Sequence, residues 1–500
     1  MVLAALAGAF AACTDDSDES GAPTDAGTFD APLSDGTSGD ADVSDAATDD
    51  ASDASDAGDA SEAGKPGKLV ITSPATVVDE DGGNPVTVPA PNGDVEVIGS
   101  TPAGRLVLKE PGTLGAIVSV WPDGTGRVVL ADAAGSPNDT TVIRVVAIAP
   151  NDTIYYVLTR GAADDYHLGS IKSDGTNRAT TVQLTGGATG ATNLAFHGQV
   201  PGSGQSLFAR YRTRIFTTDS RLVFSEYNGG AIVRARAISP DLATATTVFT
   251  ATPNRYQTVC GVTPDGRAIY YRARVPNGSV FDAVSVKLDG TSESVLTANV
   301  TTMYSCEVTL SGHVLVRLDT GNNQRDIHIA TGGNLVALRA DASVDEGFFA
   351  ETNDGRLLVH ATNQATGATS LHVVNADGTG ALPLVTTSDP AGAFGGFLGV
   401  TPTGRVIFER SPNFQSVGSL HSIKLDGTGR LNLLPVGRCR SYEPFSVTSS
   451  GHFVYRGTGV VSPNPLRLYN MRVDAVVSDN VPDQVMITND PTTMLSLMLN

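Results

Sequence analysis

The sequence predicts an all-β protein, a β-propeller built from four-stranded antiparallel blades. Two short signatures alternate along most of the 500 residues, and each recurs at intervals of about 46 residues. Runs rich in Val, Thr, Ile, Leu and Tyr lie between the signatures, whereas amphipathic helical periodicity is scarce. Eight copies of the pair predict eight blades, with seven blades as the alternative.

The first signature is a tight turn that runs into a strand. It reads "TPAGRLVL" at 101–108, "TPDGRAIYY" at 263–271 and "TPTGRVIFE" at 401–409, with weaker copies elsewhere. The residues that hold its turn position are Gly104, Asp152, Ser220, Gly266, Gly312, Gly355, Gly404 and Gly451. One interval is longer than the others by about twenty residues, because a Gly-rich insertion lies near 185–206.

The second signature is an Asp-Gly-Thr turn, as in "SIKLDGTGR" at 422–430 and "SVKLDGTSE" at 285–293. Its Asp residues are Asp123, Asp174, Asp241, Asp289, Asp377, Asp426 and Asp474. The fifth copy is eroded to "IATGGNLVAL" at 329–338. An Asp-Gly pair between two β runs predicts a hairpin, because Gly supplies the positive φ that the turn requires. A calcium loop would need more carboxylates at alternate positions, so we expect no metal and no cofactor.

Each unit is predicted to contain four strands. In the fourth unit they span 258–262, 267–274, 281–288 and 292–297. Two runs could complete the ring: the segment at 68–73 from the N-terminal side, or the segment at 483–490 as the outer strand of the last unit. The sequence leaves this choice open.

The repeat resembles the WD40-like (PD40-type) repeat of the TolB family of bacterial envelope propellers. The matching residues in the fourth unit are Thr263, Pro264, Asp265, Gly266, Arg267, Asp289, Gly290, Leu296 and Thr297. The resemblance extends from about residue 95 to the C-terminus. It implies the propeller fold and a role in binding partners in the envelope, but it says little about activity, since propellers host many functions.

The N-terminal residues 1–13 resemble the end of a bacterial lipoprotein signal peptide, in which Cys13 would carry the lipid. Residues 14–66 read as a disordered tether, because Asp, Ala, Ser and Gly dominate and sixteen acidic residues lie between Asp15 and Glu62. The propeller is expected at 67–500. The predicted location is the bacterial cell envelope, with a lipid anchor in the outer membrane or at the cell surface.

The net charge of −20 comes mostly from the tether. Outside the stretch from Asp15 to Glu62 the chain holds 33 basic against 37 acidic residues, so that part is close to neutral. This balance argues against a nucleic-acid partner. We expect a monomer that contacts the membrane only through its lipid and binds an envelope protein or a glycan.

Four residues after the insertion form the candidate binding strand. In "LFARYRTRIF" at 207–216, Arg210, Arg212 and Arg214 share one strand face and Tyr211 lies on the other. This face could bind an anionic group or a partner protein, or it could be a solvated strand face, which we favour.

Cysteine and histidine also recur in phase with the repeat. Cys260 and Cys306 each lie six residues before a turn Gly, on adjacent innermost strands. An oxidising compartment would permit a disulfide between them, although buried free thiols are favoured. His328, His372 and His421 share one position in units five to seven, where a packing role is favoured over metal binding.

No catalytic residues are predicted, because the chain has no GxSxG nucleophile elbow and no paired His spacing. The favoured function is a non-catalytic, lipid-anchored envelope scaffold that binds a protein or a glycan. Two alternatives stay open, namely a propeller-fold polysaccharide lyase or hydrolase and a purely structural surface protein.

Overall fold

Antiparallel β-strands are the regular elements of the protein in a computed structural model. The residues that the structure describes are 68–71, 75–79, 84–88, 95–110, 116–132, 139–160, 166–179, 182–184, 194–195, 215–228, 231–252, 255–276, 278–301, 303–321, 324–331, 334–339, 344–386, 393–411, 419–434, 442–447, 451–458, 466–473, 484–488 and 495–499. All of them belong to one unit, Ser61–Asn500. Among these residues no helix is long and apolar enough to cross a membrane.

The strands form nine four-stranded sheets in the described ranges. Eight of them, sheets 1 to 8 in chain order, coincide with the eight predicted units. The strands of sheets 1 to 4 are β4 (Glu96–Ser100), β5 (Leu106–Glu110), β6 (Ala116–Val120) and β7 (Val128–Asp132); β8 (Asp139–Ile148), β9 (Thr153–Arg160), β10 (Tyr166–Lys172) and β11 (Val182–Gln183); β12 (Leu194–Ala195), β13 (Leu222–Asn228), β14 (Ala231–Ile238) and β15 (Ala245–Thr250); and β16 (Gln257–Val262), β17 (Arg267–Ala273), β18 (Val280–Lys287) and β19 (Ser294–Thr301).

The second half of the chain continues the same pattern. The strands of sheets 5 to 8 are β20 (Met303–Val308), β21 (Val314–Gly321), β22 (Gln324–Thr331) and β23 (Asn334–Ala337); β24 (Val344–Glu351), β25 (Leu357–Asn363), β26 (Thr369–Val374) and β27 (Leu382–Val385); β28 (Ala393–Val400), β29 (Arg405–Ser411), β30 (Ser419–Lys424) and β31 (Leu431–Leu434); and β32 (Tyr442–Val447), β33 (His452–Thr458), β34 (Leu466–Arg472) and β35 (Gln484–Thr488). Consecutive strands pair in every one of these sheets. The predicted all-β propeller is confirmed.

The ninth sheet, here called the closing sheet, combines both ends of the described chain. It contains β1 (Lys68–Ile71), β2 (Thr76–Asp79), β3 (Val86–Thr87) and β36 (Leu495–Leu499). β36 pairs antiparallel with β1, and β35 is the outer strand of sheet 8. The segments at 68–73 and 483–490, either of which could have completed the last unit, therefore belong to different sheets. The eight units expected from the repeat account for eight of the nine sheets.

The hydrophobic core lies between neighbouring sheets. Each of eight clusters of buried side chains joins two sheets that are consecutive in the chain, beginning with the closing sheet and sheet 1. Central strands are consequently buried on both faces, as in β17, where Ala268 to Tyr271 are all buried. This burial explains why the strands read as continuous apolar runs and not as alternating ones.

The strands of sheets 1 to 8 end on two sides that differ in their connections. We call these two sides, each formed by strand ends, the turn edge and the loop edge. The turn edge carries both repeated signatures, because they connect the first strand to the second and the third to the fourth. The loop edge carries the connections from the second strand to the third and from each sheet to the next. The eight turn positions of the first signature all have positive φ, including Asp152 at 70° and Ser220 at 62°.

Candidate functional site

The Asp-Gly-Thr turns are closed by their own side chains. In the seventh unit Asp426 Oδ1 accepts hydrogen bonds from the Thr428 amide at 2.8 Å and the Thr428 hydroxyl at 2.7 Å. These hydrogen bonds hold the pKa of Asp426 below its usual range. Gly427 has φ +81°, as the hairpin requires. The same pair of bonds closes the turns at Asp123, Asp174, Asp289 and Asp377.

An arginine links the two signatures within a sheet. Arg405, the last residue of "TPTGR", donates from Nε to Ser422 Oγ at 3.2 Å and from Nη2 to the Gly429 carbonyl beyond the Asp-Gly-Thr turn. Arg105 and Arg267 make equivalent bonds in sheets 1 and 4, to a serine and to a carbonyl beyond the turn. We call this arrangement the arginine clamp. It accounts for the Arg that follows Gly in the first signature of sheets 1, 4 and 7, whereas Arg356 of sheet 6 bonds Asp354 and the Leu425 carbonyl instead.

Neighbouring sheets are joined at the same edge. Ser422 Oγ donates to the Val473 carbonyl of sheet 8 at 2.8 Å, and Thr246 Oγ1 donates to the Leu288 carbonyl of sheet 4 at 2.6 Å. Each acceptor immediately precedes a turn Asp, as does the Ser173 carbonyl that accepts from Ser119. The turn edge is therefore a structural seam, and most of its polar groups are used internally.

The fifth unit interrupts this seam. The register pairs Leu315 with Ile329, whereas the equivalent pair in sheet 1 is Val107 with Ser119. His313 consequently replaces the clamp arginine, and Ile329 replaces the serine that the arginine would bind. The ladder between β22 and β23 continues to its last pair, Thr331 with Asn334, where other units have the wider turn.

A cleft of about 530 Å³ opens at this interruption, between sheets 5 and 6. Its polar and apolar lining includes His313, Ile329, Asp354, Arg356, Asn375 and Asp377. Arg356 is engaged on the wall, because Nε bonds Asp354 Oδ2 at 2.8 Å and Nη1 bonds the Leu425 carbonyl at 3.2 Å. Hydrogen bonds from Thr379 hold the pKa of Asp377 below its usual range. Asp377 is exposed, so a charged carboxylate borders the cleft.

The structure joins Cys260 of β16 to Cys306 of β20 by a disulfide, with the Cα atoms 5.2 Å apart. This arrangement differs from the free thiols that the sequence favoured. Because the two cysteines hold equivalent places on adjacent innermost strands, their backbones fall within the range that a disulfide spans. The bond connects sheet 4 to sheet 5, which is the interrupted unit.

The histidines of the third strands are packed. His372 Nε2 lies 2.8 Å from Ser370 Oγ, and His421 Nε2 lies 2.6 Å from Ser419 Oγ, with both histidines buried. His421 also stacks on Phe408 at 5.7 Å between ring centroids. His328 is half-buried in the ladder between Val316 and Ala337. Within the described ranges no group of three His, Cys, Asp or Glu residues could hold a metal ion.

The loop edge of sheet 4 exposes an aromatic ring. Tyr256 directly precedes the innermost strand β16 and is 61% exposed. Its ring contacts Tyr271 at 5.7 Å and Phe281 at 6.4 Å between centroids, and the Ala273 amide donates to its carbonyl at 2.8 Å. We call these three rings the aromatic platform.

Two further side chains extend this edge. Val275, on the connection from β17 to β18, is 55% exposed. Arg274 is partly exposed, and its Nε lies 3.0 Å from Asp282 Oδ1. Nothing in the sequence marks the aromatic platform as a site, because Tyr256 belongs to no signature and the two rings that support it come from two other strands.

Several predicted sites lie outside the described residues. These are the lipid-attachment residue Cys13 and the candidate binding residues Arg210, Tyr211, Arg212 and Arg214. The domain limits at 13 and 66 lie there too. These assignments stay predictions.

No protein-family model matches the chain, and no curated protein matches it significantly. Solved structures do match. One comes from a study of two prolyl endopeptidases, with 14% identity, a TM-score of 0.41, and coverage of 76% of this chain and 55% of that one. Dipeptidyl peptidase 4 from Porphyromonas gingivalis matches with 10% identity, a TM-score of 0.49, and coverage of 79% and 64%. Prolyl oligopeptidase B from Galerina marginata matches with 10% identity, a TM-score of 0.39, and coverage of 81% and 51%.

At these identities the likeness shows the fold alone. The chain spans between half and two thirds of the length of these proteins. The prediction of a non-catalytic protein- or glycan-binding scaffold is nevertheless corrected here, because the matching structures are those of peptidases. The same propeller repeat occurs in proteins of many functional classes, so the repeat alone could not distinguish a scaffold from a peptidase.

Proposed function

We propose that this chain is a peptidase-related propeller that binds peptides at the loop edge of sheet 4. The observation that carries the proposal is the exposed ring of Tyr256, held on Tyr271 and Phe281. The names of the similar solved structures supply only the class of ligand to test first, which is a peptide.

The chemistry of this edge suits a peptide. A large aromatic ring on a rigid support offers apolar contact at low entropic cost, and Tyr and Arg are the residue types that dominate binding energy at interfaces. Arg274 is held by buried Asp282 through Nε and by Asn299 through Nη1, while its side chain as a whole is 44% exposed. An apolar peptide side chain would lie on Tyr256, while peptide carbonyl or carboxylate oxygens would accept from Arg274.

Peptide binding and cleavage test the proposal directly. A pool of fluorescently labelled decapeptides is titrated with the full chain by anisotropy, and cleavage is followed by mass spectrometry. We expect saturable binding that Tyr256→Ala weakens about tenfold, since removing a central aromatic anchor costs about 2 kcal/mol.

The matched control is Val295→Ala, which trims another exposed apolar side chain on outer strand β19. This variant should bind like the parent chain. If no peptide binds or is cleaved, or if both variants bind equally well, the proposal is wrong.

We also propose the finer assignments that the sequence suggested, namely TolB-like repeats, an envelope location and a lipid on Cys13. The paired cysteines Cys260 and Cys306 support an oxidising compartment. Labelled fatty acid should be incorporated into the chain when it is expressed behind a complete signal peptide. Label that persists in the Cys13→Ala variant would exclude the anchor.

A further inference from the structure

We propose that the cleft between sheets 5 and 6 binds the guanidinium group of an arginine side chain in a peptide. This site lies at the turn edge, and the proposal does not depend on peptide binding at the aromatic platform. At the equivalent place between sheets 1 and 2, an arginine of the protein itself fills this space.

Sheets 1 and 2 show the filled form of this junction. Arg105 occupies it, bonding Ser119 and the Gly126 carbonyl of its own sheet. The carboxylates of Asp152 and Asp174 in the next sheet attract its guanidinium. A buried arginine is thus held at this junction by serine and carbonyl oxygens, with two carboxylates of the next sheet close enough to attract it.

Sheets 5 and 6 keep only part of this receiving wall, because Gly355 stands in the place of Asp152, and they have no arginine at the junction. His313 takes the position of Arg105, and Asp377 takes the position of Asp174 as the Asp of the next turn. Imidazole is shorter than the arginine side chain, and Ile329 offers no hydroxyl in place of Ser119. The cleft therefore marks the place of a missing guanidinium.

The charges on the cleft wall suit a single positive group. Asp354 and Arg356 form an ion pair at 2.6 Å and largely neutralise each other. Asp377 is bonded by Thr379 and keeps a charged carboxylate facing solvent. One net negative charge remains, beside the amide of Asn375. A planar guanidinium suits the oxygens of Asp377 and Asn375 better than a compact ammonium does, because its N–H groups donate hydrogen bonds in a fixed, forked geometry.

The test uses the full chain and a capped tripeptide, acetyl-Gly-Arg-Gly-amide, titrated by isothermal calorimetry at low salt. Two analogues carry citrulline or lysine in place of arginine. We expect saturable one-to-one binding of the arginine peptide, about tenfold weaker binding of the citrulline peptide, and intermediate affinity for lysine.

Four variants locate the site. His313→Arg places an arginine at the clamp position and should reduce affinity about tenfold or more, whereas His452→Arg, the same change at the equivalent position in sheet 8, should leave affinity unchanged. Asp377→Asn should also weaken binding. Asp426→Asn removes the same charge from the equivalent turn in sheet 7 and should have no effect. Thermal unfolding of each variant verifies that it is folded.

Three outcomes would overturn the proposal. They are the absence of saturable binding at millimolar peptide, equal binding of the citrulline peptide, and undiminished binding to folded His313→Arg and Asp377→Asn. Loss of binding in Tyr256→Ala would instead place the peptide at the loop edge. The two proposals therefore fail separately.

Discussion

Removing the disulfide between Cys260 and Cys306 should destabilise the protein substantially. The bond closes a loop with a sequence separation of 46 residues and connects the innermost strands of two sheets. In the chain-entropy model, cross-linking a loop of this length restricts the unfolded chain by about 4 kcal/mol at 25 °C. Replacing both cysteines by alanine adds a small loss of packing, because Cys260 is almost fully buried.

The assay compares urea unfolding of the parent chain, the reduced chain and the Cys260→Ala/Cys306→Ala double variant. Tryptophan fluorescence and circular dichroism are followed together, because a large repeat protein can unfold in more than one step. We expect the oxidised parent chain to be about 4 kcal/mol more stable than the double variant, with reductant removing most of the difference. Added reductant should leave the double variant unchanged.

Cys439, which lies outside the described residues, provides the matched control. The Cys439→Ala variant loses a thiol but should keep its sensitivity to reductant. Alkylation of the unfolded, unreduced parent chain should leave Cys260 and Cys306 unmodified in the mass spectrum. A stability difference below about 1 kcal/mol, or two freely alkylated thiols at these positions, would refute the reasoning.

Three other perturbations examine the turn edge. Gly290→Ala should lower the free energy of unfolding, measured in urea, more than Gly427→Ala does. Both glycines have positive φ, so both substitutions strain the backbone. A Cβ at Gly290 would also lie 2.8 Å from the Thr247 carbonyl oxygen, whereas the nearest atom to a Cβ at Gly427 is 3.6 Å away. Equal losses would contradict this account. Arg405→Met should cost about 2 kcal/mol by removing charged hydrogen bonds of a buried clamp, and a near-neutral result would show that the clamp is dispensable. Acid should also weaken the turns, because hydrogen bonds from Thr291 lower the pKa of Asp289 in the folded state. The stability that they contribute is present above about pH 4 and is lost as the pH falls through the lowered pKa, so Thr291→Val should make the urea midpoint less sensitive to acid.

Much of the fold could be predicted because the turns are local. The predicted strands of the fourth unit, such as 258–262 and 267–274, agree with Gln257–Val262 and Arg267–Ala273. The Asp-Gly-Thr hairpins and the positive-φ turns follow from backbone sterics at single positions. Each of these turns is specified by a few consecutive residues, so it can be recognised even where the core residues differ from unit to unit.

The closing sheet and the cleft could not be predicted in the same way. Pairing of β1 with β36 joins segments from the two ends of the described chain, and no local pattern specifies that partner. At the cleft His313 stands where sheets 1, 4 and 7 have the clamp arginine and Ile329 where they have its serine partner, and neither residue is conspicuous in the sequence. Their shared effect emerges only where two sheets meet.

The closing sheet also constrains the order in which the protein can be completed. During synthesis β1 leaves the ribosome long before its partner strand at Leu495–Leu499 has been made. Until then the backbone N–H and C=O groups on one side of β1 lack their hydrogen-bond partners. An unpaired strand edge is a template for association with other chains. Chains that stall just before Leu495 should therefore aggregate far more readily than chains that extend past Leu499, because β36 is the strand that covers this edge of β1.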